Sequence, residues 1–178
     1  MGSLEIDKTW TLFLDRDGVI NKKRENDYVK NWAEFLFVKG SLNAISNLSK
    51  LFGRIIIVTN QRGVGKGLMK ETDLITIHEN MIKEIVLNNG KVDQIYFCTE
   101  VSEFSFFRKP NSGMGLKAKL DFPDIDFSKS IIVGDSESDI IFGQKLGMKK
   151  VLIGTSVGSL DLDGLYTSLF DFSNDLNN

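Results

Sequence analysis

Asp15 and Asp17 stand one residue apart at the end of the apolar run Trp10 to Leu14 and are followed by Gly18. Carboxylates this close repel one another, and a cation between them relieves the repulsion. Gly18 lets the backbone turn away without placing a side chain in the pocket. Three more polar signals follow along the chain: Thr59-Asn60, Arg108-Lys109, and Asp135 with Asp139. A carboxylate nucleophile, a hydroxyl donor, a lysine and a carboxylate-bound divalent metal together suit phosphoryl transfer. Mg²⁺ takes oxygen ligands octahedrally and keeps several waters, so two or three carboxylates suffice. A surface Asx turn would account for Asp15 and Asp17 alone, but not for the other three signals.

The elements that must position these residues alternate in type. Apolar runs at Trp10–Leu14, Arg54–Thr59, Val92–Cys98, Ile131–Val133 and Val151–Ile153 read as strands buried on both faces. Helical stripes run between them, over Gly40–Leu51, from the candidate caps Thr72 and Asp73 to Asn89, over Met114–Leu120, and from the cap Ser136 to Leu146. Strands alternating with helices predict an α/β fold: a Rossmann-like, doubly wound, mostly parallel sheet. The four polar signals all fall at carboxyl ends of strands or at helix starts, which converge on one crevice in such a sheet. Tyr166 to Phe172 is read as a sixth strand or an edge segment. Residues 1–178 are expected to form one domain, with 21–39 a short loop over the site and 155–178 a carboxyl-terminal segment of no legible structure.

With 178 residues, 42% hydrophobic and 26% charged, the chain has the composition of a globular protein. A net charge of −2 gives no general reason to expect nucleic acid or an anionic membrane as partner. One cysteine, Cys98, excludes an intrachain disulfide and suits a reducing compartment. No apolar run reaches the ~20 residues that span a bilayer, and Met1-Gly2 lacks the Ser or Thr that myristoylation requires, Ile6 standing there instead. A cytoplasmic location is expected.

The four motifs, Asp15-Arg16-Asp17-Gly18, Thr59-Asn60-Gln61, Arg108-Lys109-Pro110 and Gly134 to Asp139, resemble those of the haloacid dehalogenase superfamily over about residues 9–154. The finer details DRDGVIN, Tyr28-Val29, VTNQRGVGKG and RKPNSGMG look like its histidinol-phosphate and heptose-bisphosphate phosphatase branch. The resemblance implies that Asp15 is the nucleophile and that Asp17 is an acid and then a base. It implies that Thr59 and Asn60 hold phosphoryl oxygens while Lys109 neutralises the developing charge. Asp15, the backbone carbonyl of Asp17, and Asp135 would bind Mg²⁺, with Asp139 orienting the ligands from behind. Relatives carry a zinc loop of three cysteines and a histidine before the Arg-Lys-Pro. Residues 98–107 here hold one cysteine and no histidine, so no zinc is expected. With too few residues between the first two motifs for a large cap domain, the site is expected to be open.

Several residues carry plainer readings. Cys98 reads as a small core residue ending a strand rather than a reactive thiol. His78, the single histidine, reads as a surface or helix-packing residue without metal partners. Phe104, Phe106 and Phe107 are expected to fold their loop onto the domain rather than present an apolar patch. Of the basic residues Lys22, Lys23, Arg24, Arg62, Lys66 and Arg108, only Arg108 is expected to touch substrate, its planar fork matching phosphate. Gly63, Gly65 and Gly67 lack P-loop spacing and read as a mobile turn. The expected function is a Mg²⁺-dependent phosphatase acting on a small phosphorylated metabolite, D-glycero-manno-heptose 1,7-bisphosphate first and histidinol phosphate second. The rivals are a polynucleotide 3′-phosphatase, against which the acidic balance argues, and a non-catalytic binding module. A monomer or weak homo-oligomer, without membrane partners, is expected.

Overall fold

A computed structural model describes residues 5–155 and 160–176; Met1-Gly2 lies outside them. Among the described residues six strands form one parallel sheet: β1 (Thr11–Leu14), β2 (Arg54–Asn60), β3 (Gln94–Cys98), β4 (Ser130–Gly134), β5 (Lys149–Ile153) and β6 (Gly164–Tyr166). Their order is β3-β2-β1-β4-β5-β6, so the strand carrying the first motif lies near the middle. Leu14 is in register with Ile57 on one side and Val133 on the other. The helices are α1 (Ser41–Leu51), α2 (Arg62–Gly65), α3 (Glu71–Leu87), α4 (Gly113–Asp121), α5 (Glu137–Leu146) and α6 (Leu169–Asp175).

Successive side chains of a strand point to opposite faces, and the two faces carry separate cores. Leu12, Leu14, Ile55, Ile57, Ile131 and Val133 pack with residues of α1, α3 and α6. Phe13, Ile56, Val58 and Ile132 pack with Met114 and Ala118 of α4 and Phe142 of α5. The Rossmann-like expectation holds, and no cap domain intervenes: β1 and β2 are joined by a loop, a short 3₁₀ turn at Trp32–Glu34 and α1. Trp32, Phe35 and Phe37 pack on one another within that loop, which is tied down where Asn21 pairs with Phe37. Among the described residues no helix is long and apolar enough to cross a membrane.

Three local expectations are corrected. Tyr166 to Phe172 is not a single strand: β6 stops at Tyr166, and α6 begins after Ser168, whose Oγ accepts the Asp171 N–H at 3.1 Å. A serine cap with Leu169 and Phe172 three residues apart on the buried side favours helix there. Thr72 does not cap α3; Lys70 is the capping residue, and the Asp73 carboxylate accepts the Lys70 N–H at 2.9 Å. The glycine-rich turn folds as the one-turn helix α2, with Gly65 pressed so closely on the Thr99 carbonyl that a Cβ would lie 2.1 Å from it.

Candidate active site

The carboxyl ends of β1, β2 and β4 meet the Arg108-Lys109 loop around a cavity of about 360 Å³. Asp15, Asp17, Thr59, Asn60, Arg108, Lys109, Asp135 and Asp139 all line it, joined by Lys23, Arg62, Ser136 and Ser138. Gly18 and Gly134 make the close approach possible. Gly18 has φ +87, and a Cβ there would lie 2.2 Å from Asp135 Oδ2; a Cβ on Gly134 would lie 2.2 Å from Asp139 Cβ.

The floor is a buried ionic cluster. Lys109 Nζ donates to Asp15 Oδ1 at 2.8 Å, to Asp139 Oδ1 at 2.5 Å and to the Val58 carbonyl at 2.7 Å, using all three ammonium hydrogens. Burial would lower the Lys109 pKa, but Asp139 and Asp15 outweigh it and keep the ammonium charged. Asp139 is fixed in turn by Ser136 at the start of α5, whose N–H and Oγ lie 3.1 and 2.6 Å from Oδ2. Both Asp139 oxygens are thereby occupied, which suits a residue that holds Lys109 and stands behind a ligand shell. Asn60 also works through Lys109: its Oδ1 accepts the Lys109 N–H and its Nδ2 donates to the Lys109 carbonyl, both at 3.0 Å. Only one Asn60 Nδ2 hydrogen is left for a phosphoryl oxygen.

Asp17 has a different environment. Gln61 Nε2 donates to Oδ2 at 2.8 Å, Asn21 Nδ2 to Oδ1 at 2.9 Å, and Arg16 Nη2 lies 3.1 and 3.0 Å from the two oxygens. Burial raises its carboxyl pKa, but the Arg16 charge and these hydrogen bonds prevail and hold it below the ordinary range. Gln61 also donates to Thr59 Oγ1 at 2.9 Å, linking the hydroxyl to the same network. Sequence reasoning named Gln61 within a motif without a role; the amide so close after Thr59 was its signal.

Asp15, by contrast, is pushed up to about 7, by burial first, with Asp139 and Asp17 adding and Lys109 opposing. Burial also raises Asp135, against Lys23, whose Nζ donates to Oδ2 at 2.7 Å. Carboxyl oxygens of Asp15, Asp135 and Asp139 lie within 4.8 Å of one another. An all-oxygen set in which burial raises Asp15 and Asp135 fits a hard divalent cation such as Mg²⁺.

The wall is cationic. Arg62 and Arg108 both face the cavity, and Arg62 Nε and Arg108 Nη1 are buried without a hydrogen-bond partner. Burial and the neighbouring Arg62 charge lower the Arg108 pKa. Arg62, expected to be merely solvated, is thus brought to the site. Cys98 is buried as expected. His78 packs inside rather than on the surface, its ring edge-on to Phe97 at 5.6 Å. The three phenylalanines are corrected: Phe104 is 96% exposed, Phe106 57% and Phe107 41%. Their loop turns Ser105 inward instead, with its carbonyl accepting from Asn111 Nδ2 at 2.9 Å, and the flanking rings face out.

Comparison with known proteins agrees with this geometry. The family model described as polynucleotide kinase 3 phosphatase matches residues 9–151. The chain is 35% identical to the D-glycero-alpha-D-manno-heptose-1,7-bisphosphate 7-phosphatase of Mycobacterium bovis, over 92% of this chain and 90% of that one. It is 40% identical to the enzyme of the same name from Campylobacter jejuni, over 76% and 77%. Among solved structures it is similar to the D,D-heptose 1,7-bisphosphate phosphatase of B. bronchiseptica complexed with magnesium and phosphate. There the TM-score is 0.86 and the identity 28%, covering 94% of this chain and 98% of that one. With its four motifs gathered at the carboxyl ends of a parallel sheet, the chain belongs to the polynucleotide kinase 3 phosphatase family, within the haloacid dehalogenase superfamily of phosphatases.

Proposed function

We propose that this phosphatase hydrolyses a sugar bisphosphate, D-glycero-manno-heptose 1,7-bisphosphate, with Mg²⁺. The observation that carries the substrate is the separation of cations in one cavity. Lys109 is committed to the nucleophile, whereas Arg62 and Arg108 line the wall of the same cavity. Two arginines beside the reacting phosphate suit a second phosphate on the same molecule, and the names of the relatives point to the same substrate class.

In this reading Asp15 attacks phosphorus, forming an Oδ–P bond as the bond to the leaving oxygen breaks. Asp17 gives that oxygen a proton, then takes one from the water that hydrolyses the aspartyl-phosphate. Asp17 rests ionised among its donors, the form its second role requires. The like charge of an incoming phosphate raises its proton affinity for the first. Thr59 and the remaining Asn60 hydrogen face the phosphoryl oxygens, while the Lys109 charge held against Asp15 offsets the charge that develops there. Asp15, Asp135 and the Asp17 carbonyl would hold Mg²⁺, which supplies charge neutralisation at the transferring group. Asp139 keeps Lys109 and the Asp135 loop in place. We assign the whole chain to one cytoplasmic domain, a monomer or weak homo-oligomer without zinc; the lone cysteine and missing histidine of residues 98–107 support the last point.

The test is phosphate release from a heptose bisphosphate, histidinol phosphate, a 3′-phosphorylated oligonucleotide and an aryl phosphate, with Mg²⁺ and with chelator. Preference for the bisphosphate, lost on chelation and lowered ~10⁴-fold or more in Asp15→Asn, is the expected result. Preference for the oligonucleotide overturns the substrate, and release unchanged in Asp15→Asn overturns the nucleophile.

A further inference from the structure

We propose that Arg16 and His78 form a buried brace that sets the orientation of Asp17, which makes both of them positioning residues for proton transfer to the leaving group. The proposal rests on the acid/base role given to Asp17 above.

Arg16 is only 1% exposed although it lies between two site aspartates. Its guanidinium turns back into the protein and reaches across 62 residues of sequence. Nη2 engages both Asp17 oxygens, and Nη1 lies 3.2 Å from His78 Nε2 on α3. A guanidinium only donates, so His78 Nε2 must accept; the imidazole is neutral, with its proton on Nδ1. The ring is held edge-on by Phe97 of β3, so the brace is anchored to both a helix and a strand. The Arg16 Nε hydrogen has no hydrogen-bond partner. A buried charged pair is seldom better for stability than apolar packing of the same volume, so stability alone gives little reason for this arrangement. Its geometric effect is specific: with one guanidinium nitrogen on both carboxylate oxygens and the other nitrogen fixed from behind, Asp17 has little freedom to rotate away from the cavity.

The experiment compares kcat/KM, which reports steps up to departure of the leaving group, for p-nitrophenyl phosphate and for the best alkyl phosphate of the panel. A nitrophenolate leaves with little help from an acid, whereas an alkoxide needs the proton. His78→Leu keeps volume and removes the acceptor; His78→Gln keeps an acceptor. The expected result is a loss of ~10-fold or more on the alkyl ester in His78→Leu, at most ~3-fold on the aryl ester, and recovery to within ~3-fold of the parent in His78→Gln. Equal losses on the two esters, or no recovery in His78→Gln, overturn the brace. If His78→Leu does not fold, Arg16→Lys, which cannot span both partners, is read by the same criterion. Asp17→Asn on the same esters separates the two readings. Discrimination there without discrimination in the brace variants sinks the brace alone. No discrimination in Asp17→Asn sinks the acid role and the brace with it.

Discussion

The floor of the site and its rim are built on opposite principles. Asp15, Lys109 and Asp139 are buried, Lys109 ties the two carboxylates together, and the Val58 carbonyl and the Ser136 cap fix Lys109 and Asp139 in turn. A few residues away, Phe104, Phe106 and Phe107 stand in solvent on a loop whose inward residue is a serine. The floor is part of the core and tolerates little change; the rim is attached by a handful of polar contacts. The difference teaches that the phosphoryl chemistry is specified by the same burial that stabilises the sheet.

The largest effect should come from breaking the floor. Lys109→Met leaves Asp15 and Asp139 facing each other without a counter-charge, a buried-pair rupture that costs about 3–5 kcal/mol. Urea denaturation should show that loss in the absence of Mg²⁺, and a change under ~1 kcal/mol would dissolve the distinction between floor and rim. A smaller effect follows from acid. His78, behind Arg16 and Asp17, is lowered to about 3 in the fold, by burial first and then by Arg16. Its pKa in the unfolded chain is about 6.5. The unfolded state therefore binds the extra proton between these values. The His78 contribution is fully present above about pH 6.5 and is lost progressively as pH falls toward 3, amounting to about 2 kcal/mol at pH 5. Thermal melts of the parent and His78→Gln should diverge in slope between pH 7 and 5, the variant being less acid-sensitive; parallel curves would mean that His78 is not held neutral by the fold. The smallest effect belongs to the rim. Phe104→Ser should change stability by less than about 0.5 kcal/mol. A loss above ~1 kcal/mol would mean that the phenylalanine is held after all.

Much of the floor was legible because its residues sit where strands end. An apolar run stopping at Asp15, another at Thr59 and a third at Asp135 place polar groups in a common crevice before any packing is known. What stayed hidden depends on how elements rotate against one another. Nothing local to His78 says that its face of α3 meets Arg16, and nothing local to Asn60 says that its amide turns onto Lys109 rather than outward. Arg62 looked like any solvated arginine until α2 folded and pointed it at the cavity. The phenylalanine loop misled because aromatic residues bury on average, whereas the turn at Ser105 fixed which side faced in. At the carboxyl end, the serine cap at Ser168 was the available signal for α6, outweighed there by the apolar run around it.

The position of β1 in the sheet has a consequence for how the enzyme is made. The strand that leads to Asp15 is translated before the other five described strands, yet its neighbours are β2, about forty residues later, and β4, with Leu14 paired to Val133. Until β4 and the start of α5 have left the ribosome, β1 has an unpaired edge and Asp15 and Lys109 lack Asp139. Long-range parallel pairing of this kind is slow, and a partly made sheet exposes apolar edges. The ionic cluster is therefore completed late, and a nascent chain stalled before β4 has Asp15 but neither Asp135 nor Asp139 beside it.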